Sequence, residues 1–450
     1  MPSHLPDDRF ADDRPMSAGQ RWTVIALLIV AIGLGVAVEW RSAFMRRRMT
    51  DLGCYARGAW AIRAGADPYA VTEGNGWHYN YPPFLAILMG PLAEAPPGGT
   101  PVTALPYPVS VAVWYIVGVA SLLLAAHLFA AAVEAGLPRP PRSYGYLWWS
   151  VRLVPLVLVL PAGGRTLARG QVNTIVLALL AGWAAGLVTG RRVRAGVCLA
   201  FAICIKVIPA FLILHPLLRR DGRCLSGLAL GLFFALVVLP VAVSGPDAAL
   251  AQARTFLDVT LRPGLGTGGD ASRAAELTDV TGTDSQSILC VLHNFRFANP
   301  WARTPDVAPW TRVAHWTTAG LLTVFTLIVH GRRSFSPRNE VAFIGALMTV
   351  MTVITPINHL HYFVFALPLA TALWSRPHRQ VPYEALGFFL IANVASMLPI
   401  LALRMYGLTT VAALLLWAMS LIPERSAATE CRQASEPQTP DTRIPKPHAA

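Results

Sequence analysis

The run A-G-V-C-L-A-F-A-I-C-I-K-V-I-P-A-F-L-I-L-H-P-L-L, residues 195–218, decides how this chain is threaded. If it crosses a bilayer once, Arg191, Arg192 and Arg194 face away from Arg219, Arg220 and Arg223. Every later loop then inverts, putting Arg332, Arg333, Arg338, Arg376 and Arg379 on the far side. If it breaks at Lys206-Val207-Ile208-Pro209 and returns, all of these arginines share one side. Proline removes a helical hydrogen bond, and non-helical backbone at membrane depth is tolerated where it lines a polar cavity. Each arm then holds about ten residues, roughly 15 Å of helix and half a bilayer. Basic residues collect in cytoplasmic loops, so the sequence predicts a re-entrant helix pair here.

Outward from this run the chain stays apolar. Of its 450 residues 54% are hydrophobic and 14% charged, and apolar stretches of membrane length recur from end to end. That pattern describes an all-α polytopic membrane protein and excludes a soluble core. The formal charge of +13 comes almost wholly from Arg in short loops, with Lys206 and Lys446 the lysines. Loop arginines follow from membrane topology, so the charge does not point to nucleic acid. Full spans are expected near Trp22–Val38, Val109–Ala135, Leu147–Pro161, Val172–Thr189, Leu225–Ser244, Thr311–Val329, Glu340–Thr355, His359–Trp374, Glu384–Leu401 and Tyr406–Ile422. That makes about ten, plus the re-entrant pair, with both termini cytoplasmic.

Residues 1–21 and 424–450 read as disordered cytoplasmic ends of a membrane domain over 22–423, in an inner or plasma membrane. With no small-residue cleavage site behind it, the first span is a retained anchor. The outer loops fall at 39–108, 162–171, 245–310 and 355–361. In the first of them Pro83–Ala93 is apolar but too short to cross, and reads as a re-entrant or interfacial helix. The six cysteines show no metal-ligand spacing. Cys54 and Cys290 both fall on outer loops, and their pairing stays open.

Unusual polar chemistry gathers on this outer side. Asp51 stands beside the first span, where it serves as a general base of raised pKa or as the N-cap of a helix running to Ala64. Tyr55 follows it. The run Trp77-His78-Tyr79-Asn80-Tyr81-Pro82-Pro83 is either an interfacial aromatic belt or a wall for a carbohydrate, with Tyr81 held extended by the following proline. In G-G-R-T-L-A-R-G-Q-V-N, residues 163–173, Arg165 and Arg169 break the positive-inside bias; they bind phosphate or snorkel at the membrane surface. Gln171 and Asn173 open the next span and face the same cavity. Lys206, at the hairpin tip, needs an anionic partner, either a lipid phosphate or a carboxylate. In T-P-I-N-H-L-H, residues 355–361, His359 and His361 share a face if the segment is extended. Hydrogen bonding to phosphate or hydroxyl suits them better than metal, because no third ligand adjoins. Asp284-Ser285-Gln286-Ser287-Ile288 resembles a helix start capped by Asp284 or Ser285.

In order, D-L-G-C-Y from Asp51, A-G-A-D-P-Y to Tyr69, Y-P-P-F-L-A-I-L-M-G-P-L from Tyr81, G-Q-V-N from Gly170, K-V-I-P from Lys206, S-Q-S from Ser285 and T-P-I-N-H-L-H from Thr355 resemble glycosyltransferase family 87 of the GT-C superfamily. The resemblance covers residues 51–361. It implies an inverting hexosyltransferase, similar to polyprenyl-phosphate-mannose-dependent mannosyltransferases. Its partners would be a polyprenyl-phosphate sugar donor, a glycolipid or glycan acceptor and membrane lipid, with no cofactor and no metal. By that likeness Asp51 is the base and His361 lies near the phosphate end of the donor; with the cationic residues read above, the phosphate would be held by Arg165, Arg169, Lys206 or His361. Tyr55, Tyr81, Gln171, Asn173, Gln286, Ser287 and His359 contact substrate. The family commonly has Trp at the place of His359, His at that of Tyr362, and Asn-Gln-Ser at Ser285-Gln286-Ser287. The alternative function is a transporter or flippase of lipid-linked sugars, although the paired broken helices common in transporters are not evident.

Overall fold

The computed structural model describes residues 14–45, 48–137, 141–282, 284–297 and 299–423. Among them the regular elements are all helical. Helix α1 (Ala18–Glu39) starts under a reciprocal cap between Ser17 and Gln20 and runs on through a widened turn to Phe44. Helix thus begins within the stretch 1–21 that was expected to be disordered. Residues 1–13 lie outside those described, as does the tail 424–450.

Helix α2 (Thr50–Ala64) carries Asp51 and ends at Gly65, which turns the chain with φ 71°. The short apolar stretch becomes α3 (Pro83–Leu88), with proline at its first turn. Then come α4 (Tyr107–Glu134) and α5 (Tyr146–Arg169). Here the structure departs from the sequence reading. Helix α5 was expected to stop at Pro161, but it passes through Pro155 and Pro161 and makes Gly163–Arg169 helix instead of loop. Buried Ala162, Gly163 and Thr166 pack this last stretch against the bundle, and tertiary packing overrides the local break. The stretch 245–310, expected as an outer loop, also carries helices, Pro246–Phe256 and Ile288–Asn294 among them.

After α6 (Asn173–Val188) comes the decisive run. Helix α7 (Arg192–Ile205) stops at Lys206, whose backbone is extended at φ −148°, ψ 123°. The chain returns through a 3-10 turn, Ile208–Ile213, and α8 (Leu214–Leu218). Arg192 Nη1 donates to Asp221 Oδ2 at 2.8 Å, so the two feet of the hairpin meet. Helix α9 (Gly222–Phe233) then rises parallel to α7. Backbones touch along this pair: a Cβ on Gly196 would meet Cys224 O, one on Gly227 would meet Val193 O, and one on Gly231 would meet Ala200 Cβ. Small residues permit such close helix approach in membranes.

The arginine loops converge on the hairpin's feet. Arg219 Nη1 reaches the carbonyls of Gly331 and Arg333, each at 3.4 Å. Glu340 lies between Arg219 Nη2, at 2.5 Å, and His215 Nε2, at 2.7 Å. Arg338 Nη1 donates to Ser375 O at 3.0 Å, and Arg376 Nη2 to Ile422 O at 3.1 Å. Loops near 191, 220, 335 and 376 therefore occupy one pole, as a returning hairpin requires. At the centre stands the helix Pro337–Ile354, buried at every residue from Glu340 to Val353.

Among the described residues five helices are long and apolar enough to cross a membrane: Ala18–Phe44, Tyr107–Glu134, Tyr146–Arg169, Gly222–Ser244 and Pro309–Gly331. Shorter apolar helices, Asn173–Val188, Leu360–Trp374, Tyr383–Ala395 and Leu408–Leu421 among them, pack between these. The threading predicts that Arg191→Cys and Arg223→Cys react with an impermeant thiol reagent from the same side of sealed vesicles. Labelling from opposite sides would reject the hairpin.

Candidate active site

The opposite pole is organised by Asp51. It is the second residue of α2, whose N-cap is Met49 with no side-chain cap bond. The capping role is thereby excluded, and the carboxylate is turned to other partners. Oδ2 accepts from Arg169 Nε at 3.0 Å, and Oδ1 accepts from Gln171 Nε2. Between these two donors Gly170 ends α5 in the left-handed region, φ 74°. Its carbonyl accepts from Trp114 Nε1 at 2.8 Å, and a Cβ there would approach Leu52 Cβ at 2.9 Å.

One turn along α2, the Tyr55 hydroxyl lies 3.3 Å from both Gln171 Oε1 and the Tyr81 hydroxyl. The Tyr55 and Tyr81 rings meet edge-on at 5.0 Å. Tyr81 is fixed from behind: the Tyr69 hydroxyl donates to its carbonyl at 3.0 Å, and the Tyr79 hydroxyl donates to Pro82 O at 2.6 Å. Glu276, from the long stretch 245–310, bonds His78 Nδ1 at 2.6 Å and Asn80 Nδ2 at 2.8 Å. The aromatic run is thus a built wall.

Lys206 is buried, with Nζ 2.7 Å from Asn173 Oδ1 and 3.5 Å from Gln171 Oε1, over the Tyr362 ring at 4.1 Å. The Asn173 amide also donates to His361 O at 3.3 Å. Beside this cluster opens a cavity of about 380 Å³, lined by Arg41, Arg48, Thr50, Arg165, Arg169, Asp284, His359 and His361. The His359 and His361 rings stack 5.5 Å apart, and His359 is extended, so the two share a face. His361 Nε2 is buried and has no partner among the described residues.

Burial raises the Asp51 carboxyl above the ordinary carboxylate value, against the lowering pull of Arg169 and Lys206. Burial, and then the Arg169 charge, lowers the His359 imidazole to about 4, so its ring is neutral at pH 7.

Asp51, Tyr55, Tyr81, Arg169, Gln171, Asn173, Lys206, His359 and His361 come together, with Arg165 across the cavity at 3.9 Å from Asp284 Oδ2. Gln286 and Ser287 do not point there. Gln286 Oε1 accepts from Thr409 N at 2.9 Å, and Ser287 Oγ donates to Pro356 O at 2.7 Å. Ser287 is also the true N-cap, in place of Asp284 or Ser285. These two residues anchor the 355–361 segment. Asp284 is left to Arg404, at 2.7 Å. Cys54 and Cys290 are separate thiols that face the carbonyls of Trp77 and Pro356.

The sequence reading missed Arg41 and Arg48. A signal was available: both follow the first span at the end expected to be outer, against the same bias that marked Arg165 and Arg169.

The site therefore sets fixed cations around a cavity, next to a carboxylate, at one pole of a membrane bundle. By comparison with known proteins, the chain belongs to glycosyltransferase family 87, whose sequence model matches residues 79–356. It is thus an integral membrane glycosyltransferase. Over 397 residues it is 23% identical to the polyprenol-phosphate-mannose-dependent alpha-(1-2)-phosphatidylinositol mannoside mannosyltransferase of Mycobacterium tuberculosis, covering 84% of this chain and 81% of that one. Asp51 and α2 precede the stretch that the family model matches.

Proposed function

We propose that the chain moves a hexose, mannose by analogy with the mycobacterial relative, from a polyprenyl-phosphate donor to a hydroxyl of a lipid or glycan acceptor, with inversion. The observation that carries this is the Asp51 carboxylate, gripped at both oxygens beside an arginine-lined cavity. The acceptor oxygen attacks the anomeric carbon while the bond from that carbon to the phosphate oxygen breaks. The bonding pair leaves on the phosphate, and the hydroxyl proton passes to Asp51. Arg165, Arg169 and His361 face the cavity where the departing phosphate would gather charge. Donors already fixed there stabilise it without reorganisation. The arginine pole would be cytoplasmic by the positive-inside rule, giving about ten spans, cytoplasmic termini and a site on the other face.

The test is transfer by the purified protein in lipid nanodiscs. Radiolabelled polyprenyl-phosphate-mannose should yield a mannoside of opposite anomeric configuration plus free polyprenyl phosphate, while a nucleotide-sugar donor should yield nothing. Retention of configuration, or use of the nucleotide sugar alone, would overturn the reading. The pH profile follows from the raised carboxyl. A base must be ionised, so kcat should fall as pH drops, and the acid limb should lie above the ordinary carboxylate range.

A further inference from the structure

Gln171 reads in the sequence as a substrate contact. Its surroundings argue for a different task. It is buried, and both ends of its amide are already engaged. Its orientation is also determined. Lys206 Nζ, a pure donor, lies 3.5 Å from Oε1, and the Tyr55 hydroxyl lies 3.3 Å from the same atom. Flipping the amide would turn its NH₂ toward an ammonium group and its carbonyl toward the Asp51 carboxylate, which is repulsive at both ends. The buried lysine therefore forces the amide N–H onto Asp51.

We propose that Gln171 is a positioning residue for Asp51, and that Lys206 acts on the same carboxylate through it by locking the amide. This rests on the assignment of Asp51 as the base. Arg169 takes one carboxylate oxygen and Gln171 the other, with Gly170 between them. A carboxylate oxygen can accept more than one hydrogen bond, so lone pairs remain for an acceptor hydroxyl while the group cannot rotate. Orienters of this kind fix the direction in which a catalytic group presents its basic electrons. Lys206 then holds a structural anion-like partner, the two amide oxygens of Asn173 and Gln171, instead of the donor phosphate.

The titratable and charged groups around Asp51 are Arg169, Lys206, Tyr55, Tyr81 and Cys54. Replacing Gln171 by Glu keeps the shape and sets a second carboxylate against the first. Lys206 and Tyr55 favour ionisation of the newcomer, and two carboxylates sharing a site cannot both ionise easily. The acid limb of kcat in Gln171→Glu should therefore move up by about one pH unit or more, with the Michaelis constants for donor and acceptor changed less than about threefold. Gln171→Leu removes the grip together with a hydrogen bond that favours the ionised carboxylate, so it should lower kcat about tenfold to a hundredfold on the plateau and move the limb up by less than Gln171→Glu does.

Both variants are assayed beside Asp51→Asn, with monodisperse elution in detergent as the check on folding. An unmoved limb in Gln171→Glu together with a raised Michaelis constant would show that Gln171 touches substrate, and would overturn the positioning role alone. Native activity in Asp51→Asn would instead remove the base on which the inference stands. If Gln171→Glu elutes as aggregate, Lys206→Met provides the second reading: freeing the amide should lower kcat without raising the donor Michaelis constant. A raised donor constant there would return Lys206 to the phosphate.

Discussion

Asp51→Asn is expected to leave a folded protein whose kcat is less than about one hundredth of the native value, the loss usual when a general base is removed. The substitution is nearly isosteric, and the amide oxygen can still accept from Arg169, which sits 3.0 Å from Oδ2 in the native site. What disappears is basicity. An amide cannot take the acceptor proton, so attack must proceed from a fully protonated hydroxyl. In the proposed reading the arginine cavity, and not Asp51, binds the donor, so the donor Michaelis constant should hold while kcat falls. The acid limb of the pH profile should vanish with the group that causes it. Radiolabel transfer by wild type and variant at matched protein levels decides the matter; near-native turnover by the variant would rule out Asp51 as the base.

The second large effect is structural. Gly227→Leu should destabilise the fold by more than about 3 kcal/mol, at or beyond the upper end of overpacking costs, because the obstacle is main chain and not a side chain that can change rotamer. A Cβ at Gly227 runs into Val193 O, and one at Gly196 into Cys224 O. Spreading α7 from α9 would also displace the hairpin tip and so Lys206. Gly320→Ala is the matched control: nothing lies within 4 Å of its Cβ position, and its stability should stay within about 1 kcal/mol of native. Thermal unfolding in detergent, followed by loss of monodisperse protein, separates the two. Equal stability of Gly227→Leu and wild type would contradict the close parallel pairing.

Much of this could be read from the sequence because it rests on periodicity, proline and charge. The break at Lys206–Pro209, the helix behind Asp51 and the shared side of the loop arginines all follow from those. The reading failed where contacts between distant residues decide. Gly163–Arg169 looked like a polar loop after Pro161, yet packing keeps it helical, and this moves the turn to Gly170. Gln286 and Ser287 looked like ligands because they are polar and sit in a motif. Only the approach of Thr409 and Pro356, far along the chain, shows them to be anchors. Arg41 reaches the cavity through Ala168 O, 127 residues away, a contact that no local pattern encodes.

Gly170 has one further implication. It bears no functional group, yet it sets the spacing of a tweezer whose two tips are the side chains on either side of it. Its φ of 74° bends the chain so that neighbours two apart close on opposite oxygens of one carboxylate, with Leu52 as the stop against which the bend rests. Any side chain here would push on that stop and open the tips together. The aim of the proposed base thus depends on a backbone angle, and a search for chemically active residues would pass over the position that controls it.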